Sequence, residues 1–94
     1  MQVIHKQILE ITDKQKIMLP YGATILSVQI QREQLCLWYL HNGNPAVERV
    51  IGIYGTGNEI PFEDFEPMHP KFIATVQMRG GTLVWHVFEL YAGD

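Results

Sequence analysis

Cysteine is almost missing from this chain: Cys36 stands alone among 94 residues, so no internal disulfide can staple the fold. A fold without disulfides suits a reducing compartment. Charge is sparse as well, at 18% of residues, against about a quarter in ordinary globular domains. The seven basic residues are Lys6, Lys14, Lys16, Arg32, Arg49, Lys71 and Arg79, scattered along the sequence. Binding to a nucleic-acid backbone requires clustered cations, so direct nucleic-acid binding is not expected. The net charge of −3 also falls far short of a duplex-like acidic array. No apolar run approaches the roughly 18 residues of a membrane helix. The first residues, Met1 to Lys6, lack the charged region and cleavage site of a signal peptide. The expectation is an intracellular protein that does not engage a membrane. With no repeat, low-complexity tract or linker, residues 1–94 read as one domain.

Apolar side chains are plentiful, at 47%, which rules out a disordered chain. Their spacing is that of strands. In Thr24 to Gln31, Leu26, Val28 and Ile30 alternate with Ser27, Gln29 and Gln31, the period of two of a half-buried strand. Val3 to Ile11, Lys16 to Leu19, Leu35 to His41, Ala46 to Tyr54, Phe72 to Met78 and Leu83 to Tyr91 complete the set. Pro20-Tyr21-Gly22, Arg32-Glu33-Gln34, Gly55-Thr56-Gly57-Asn58 and Arg79-Gly80-Gly81-Thr82 separate them. Asn42-Gly43-Asn44-Pro45 is the strongest turn signal and reads as a hairpin. Glu59 to Pro70 holds three of the five prolines and cannot be a central strand. It has room for one helical turn, with Phe62 and Phe65 pointing inward. The expected fold is therefore all-β: about seven antiparallel strands in a small sandwich or partly open barrel, with at most one short helical turn near residues 60–66. Leu35 to His41 and Leu83 to Tyr91 are apolar on both faces. A second layer must cover each of them, either from the same chain or from another subunit, so a homo-oligomer is one of two open alternatives.

Catalytic constellations are not apparent. His5, His41, His69 and His86 have no metal-ligand spacing, and no cysteine pair supports them. No metal or cofactor is expected. His86 reads as a sheet histidine with one hydrogen-bonded nitrogen, and Cys36, set among Leu35, Leu37 and Trp38, as a small core residue. Gly55 to Asn58 lacks the third glycine and following helix of a dinucleotide loop. Its backbone N–H groups still make it, with Tyr54, a candidate ligand-binding turn: Tyr54, Gly55, Thr56, Gly57 and Asn58. The acidic loop offers Glu59, Glu63, Asp64 and Glu66 as candidate partner-binding residues, because binding groups often ride on loops held by a rigid scaffold.

Leu9-Glu10-Ile11-Thr12-Asp13-Lys14-Gln15, Leu19-Pro20-Tyr21-Gly22-Ala23, Ile25-Leu26-Ser27-Val28-Gln29, Leu35-Cys36-Leu37-Trp38, Ile53 to Asn58 and Leu83 to Glu89 span nearly the whole chain. Together they resemble a family of short proteins from tailed bacteriophages, prophages and some bacterial genomes. The resemblance implies a mobile-element origin and a place in the host cytoplasm. It carries no catalytic residue. The expectation is a small non-enzymatic binding protein, a counter-defence factor that inhibits a host protein or sequesters a small signalling molecule. The alternative is a structural or assembly accessory of a phage particle.

Overall fold

The computed structural model describes residues 2–65 and 70–92. Seven strands form: β1 (Val3–Leu9), β2 (Lys14–Pro20), β3 (Thr24–Gln31), β4 (Gln34–His41), β5 (Ala46–Gly55), β6 (Lys71–Met78) and β7 (Leu83–Ala92). A single helical turn, α1 (Phe62–Phe65), lies between β5 and β6, where the proline-rich segment predicts one. The strands make two antiparallel sheets, one of three strands in the order β1-β4-β3 and one of four in the order β2-β5-β7-β6. They pack as a small β-sandwich, thin in one direction at 16 Å, as two stacked sheets must be. No helix among the described residues is long and apolar enough to cross a membrane.

Alternation decides which side chains meet between the layers. Leu35, Leu37 and Tyr39 of β4 point inward beside Leu9 and Val28, and they face Ile17, Leu19, Ile51, Ile53, Val76 and Val87 of the other sheet. Leu19, Val28, Leu37, Ile51 and Val87 are fully buried. A second, smaller cluster lies on the outer face of the four-stranded sheet. It holds Val50, Tyr54 and Leu90, with Phe88 packed against it. Leu90 is the extra residue of a bulge, because Val50 pairs with Tyr91 and Ile51 with Glu89.

Two turns behave differently from one another. Arg32 and Glu33 close the β3–β4 hairpin with φ of 51° and 63°. Those are the left-handed values that a two-residue type I′ turn requires, held here by two residues with side chains. The Asn42-Gly43-Asn44-Pro45 segment is not a hairpin. β4 pairs with β1 and β3, whereas β5 pairs with β2 and β7, so this segment carries the chain from one sheet to the other. The side chains explain the correction: Asn42 and Asn44 each donate from Nδ2 to the Tyr21 carbonyl at 3.0 Å. The Tyr21 N–H in turn donates to the Pro45 carbonyl at 2.8 Å. The asparagines thus tie the β4–β5 connection to the β2–β3 connection instead of closing a tight hairpin.

Replacing Arg32 and Glu33 together by Asn and Gly removes the left-handed strain at the β3–β4 turn. The double variant should gain about 1 kcal/mol in unfolding free energy, read from the urea midpoint at unchanged m-value.

Candidate functional site

Three places carry polar chemistry. The first is a cleft of about 350 Å³ where the start of β3 approaches the start of β6, lined by Ala23 to Leu26, Arg49, Lys71 to Ile73 and Glu89. Register builds it. Lys71 pairs with Glu89, and the bulge at Val50/Ile51 sets Arg49 near the end of β7. Arg49 grips Glu89 with two parallel bonds, Nε to Oε2 at 2.5 Å and Nη2 to Oε1 at 2.7 Å. Its Nη1 donates to the Ala23 carbonyl at 2.5 Å, across to the chain entering the other sheet. The pair is nearly buried, with side-chain exposures of 12% and 10%. A guanidinium carries five N–H donors. Three are used, so two remain in a cleft that Lys71 also lines. Lys71 forms no ion pair with any acid among the described residues.

The second place is the turn after β5. Asn58 N–H donates to the Gly55 carbonyl at 3.1 Å, and Gly57 sits at φ +86°, a value that favours glycine in this tight turn. The five candidate residues here do not converge on one cavity. Tyr54 is buried on the outer face of the sheet, while Gly55 lies against Asn58 and Trp85. Thr56 is bonded through Oγ1 to His86 Nε2 at 2.7 Å, and Thr75 Oγ1 meets His86 Nδ1 at 2.9 Å. His86 therefore has both ring nitrogens occupied, one more than the sequence suggests. Asn58 and Trp85 are shared by two shallow hollows of about 240 and 190 Å³. Trp85 Nε1 is buried without a hydrogen-bond partner among the described residues.

The third place is the strap formed by residues 59–65. Glu59 and Glu63 are exposed. Asp64 is turned inward, 3% exposed. Its Oδ2 accepts the Tyr54 hydroxyl at 2.9 Å, and its Oδ1 faces the Lys14 ammonium in an ion pair. Glu66, His69 and the side chains of Phe62 and Phe65 lie outside the described residues. Burial first, then the hydrogen bond to Asp64 and the nearby charges of Asp64 and Asp13, hold the Tyr54 phenol well above the ordinary tyrosine value. Tyr54 also packs over Gly52, where an added Cβ would come within 2.6 Å of the phenol oxygen.

Among the described residues, no group of three His, Cys, Asp or Glu side chains is placed to hold a metal ion. His5 and His41 come together with ring centroids 4.9 Å apart, beside Tyr39. Cross-strand register alone produces that pairing, and nothing in their separation along the chain announces it. Cys36 is fully buried, with its thiol 3.7 Å from the Gln34 carbonyl. The Arg49–Glu89 clamp is likewise invisible in sequence, since 40 residues separate its members. The only available signal is that Arg49 and Glu89 are charged residues within mostly apolar strands.

These features define a two-sheet β-sandwich with a charged cleft at one end and a strapped outer face. The chain belongs to the family described as domain of unknown function DUF7352, whose profile matches residues 1–94. Neither a curated protein nor a solved structure matches it.

Two outcomes follow from this geometry. Arg49→Met alone strands the Glu89 carboxylate in a nearly buried position and should cost about 3–5 kcal/mol. Arg49→Met combined with Glu89→Leu should recover most of that loss, and a double-mutant cycle on urea unfolding reads both values. Tyr54 holds its proton more tightly in the folded state than in the unfolded chain. Its contribution is therefore full below the unfolded tyrosine value of about 10 and is lost as pH rises beyond it. Above that pH the stability of the native protein should fall more steeply than that of Tyr54→Phe, as followed by chemical unfolding at a series of alkaline pH values.

Proposed function

We propose that the protein is a small non-enzymatic binding protein that sequesters a small organic anion in the cleft between β3 and β6. The observation that carries this reading is the cleft's charge. Arg49 keeps two N–H donors beyond those used on Glu89 and Ala23, and Lys71 adds a second cation without an acid partner among the described residues. Against the single carboxylate of Glu89 this leaves a net positive cleft on a chain of net charge −3. A carboxylate or phosphate head suits those donors, since a guanidinium binds both in bidentate fashion. Ile25 and Ile73 supply an apolar wall for the rest of the ligand. A volume of about 350 Å³ lies within the range of small-molecule sites.

Binding, not turnover, suits the remaining chemistry. His86 is held by two threonine hydroxyls and, among the described residues, no carboxylate orients it, unlike the nucleophile–base–orienter set of hydrolytic sites. The resemblance to phage and prophage proteins supports reading such a sequestering protein as part of a mobile element. There, removing a host signalling molecule is a form of counter-defence. The acidic strap supports the rival role of inhibiting a host protein less well, because Asp64 is committed to Tyr54 and Lys14.

The test is calorimetric titration of the purified protein with inorganic phosphate, hexanoate and adenosine monophosphate, beside native mass spectrometry of protein taken directly from cells. At least one of the organic anions should bind, and Lys71→Ala should weaken it at least tenfold. Thr56→Ala/Asn58→Ala should leave it unchanged. Binding lost in the turn variant and kept in Lys71→Ala moves the site to Gly55–Asn58. No binding by any probe, with no retained mass and recovery only alongside capsid or tail proteins, replaces sequestration with a role in particle assembly.

A further inference from the structure

The residues that wall the charged cleft come in unbroken runs, 23–26 at the entry to β3 and 71–73 at the start of β6. Alternate residues of a strand point to opposite faces. A wall made of consecutive residues is therefore a strand edge, not a sheet face. β3 ends the three-stranded sheet and β6 ends the four-stranded one, and among the described residues no ladder joins them. An edge strand presents a row of unpaired N–H and C=O groups. Each of these edges also carries a bulge at this point. Ile25 and Ser27 pair with Tyr39 and Trp38, and Phe72 and Ala74 pair with Phe88 and Val87, so Leu26 and Ile73 are the extra residues. The extra residue of a bulge has no place in the ladder, and both of these line the cleft. Backbone donors and acceptors thus stand beside the cations Arg49 and Lys71.

We infer that the anion taken up here is the free carboxylate at the C-terminus of an extended peptide, whose amides pair with the edges of β3 and β6. That carboxylate is one class of the small organic anion proposed above, and its identity rests on that reading of the cleft. Charge selects the head group. Arg49 and Lys71 against Glu89 leave one net positive charge. A carboxylate neutralises it, whereas a phosphate monoester carries nearly two negative charges and would add to that of Glu89. The free guanidinium donors of Arg49 also suit the paired oxygens of a carboxylate. The edges select the body. Strand addition satisfies main-chain groups on both chains, and backbone groups also capture C-terminal carboxylates. A fatty acid or a free phosphate leaves the edge groups to water. Ile25 and Ile73 give the last side chain of the peptide an apolar wall, which fits an aliphatic residue. β3 and β6 both lead away from the cleft. A peptide that lies along them and ends in the cleft therefore runs antiparallel to both, the slightly more stable pairing.

Calorimetric titration with acetyl-Ala-Val-Leu, its C-terminal amide and hexanoate tests this, beside backbone hydrogen exchange of the native protein with and without the peptide. The free acid should bind at least tenfold more tightly than hexanoate, and the amide at least tenfold more weakly than the acid. Lys71→Ala, at an exposed position, should shrink the preference for acid over amide several-fold. On binding, new exchange protection should appear within residues 24–26 and 71–73. If hexanoate binds as tightly as the free acid, the cleft remains an anion site and the peptide is wrong. The same holds if the acid binds and neither edge gains protection. Equal binding of acid and amide overturns the inference, because the carboxylate is then not the recognised group. If no anion binds at all, phosphate and adenosine monophosphate included, the anion reading of the cleft falls and the peptide with it. If Lys71→Ala fails to fold, the acid–amide comparison on the native chain decides alone.

Discussion

The structure depends on one constraint: its central strands are apolar on both sides, and a two-layer sandwich provides only one interior. β4 and β7 each place one set of residues between the sheets, Leu35, Leu37 and Tyr39 from β4 and Val87 from β7. Each then has a second set to hide. The four-stranded sheet meets this need in part from within the chain: Val50, Tyr54 and Leu90 are buried on its outer face and the 59–65 strap covers Tyr54, while Phe72 stays exposed against Phe88. Asp64 secures that cover by reaching both the phenol of β5 and the ammonium of Lys14 on β2. A buried carboxylate is tolerable there because each of its oxygens faces a donor or a cation.

Arg49 solves a different problem at the opening between the layers. Its guanidinium joins Glu89 of its own sheet to the Ala23 carbonyl at the edge of the other. Replacing such a pair by well-packed apolar residues is often neutral or stabilising, so stability alone is a weak reason for its presence. The pair leaves cationic donors in a cleft at the margin of the core, where apolar residues would have closed the gap. That contrast gives the cleft more weight as a binding site than the glycine-rich turn, whose polar groups are mostly engaged with one another.

Much of the fold was legible in the sequence because strand periodicity is a local property. The alternation of Thr24 to Gln31, the prolines of Glu59 to Pro70 and the two-faced strands led to the number of strands, the helical turn and the need for covers. Pairing was less legible. Asn42-Gly43 carries the strongest hairpin signal yet serves a crossover, because the asparagine amides find the Tyr21 carbonyl, a partner 21 residues or more away. Arg32-Glu33 has no turn-favouring residues, yet a short connector between two strong strands implies a hairpin, and the tight hairpin forms there because the flanking strands impose their register on the turn. The sites were least legible of all. Glu89 meets Arg49, His5 meets His41 and Asp64 meets Tyr54 only after strands pair, and no local pattern encodes the distances between them.

The order of strands also determines when the protein can become itself. Of the first four strands, β1, β3 and β4 belong to the three-stranded sheet and only β2 to the other, so the three-stranded sheet has all its members once residue 41 exists. Its inner face must then wait for β5, β6 and β7 to supply the opposing layer. β2 has no partner in its own sheet until β5 arrives, and β5 lacks one flank until β7 does. A chain emerging from the ribosome would therefore hold an exposed apolar sheet until β7 is made. Formation of the native state is thereby tied to completion of the C-terminal strand, with the slow, all-or-none character of distant strand pairing.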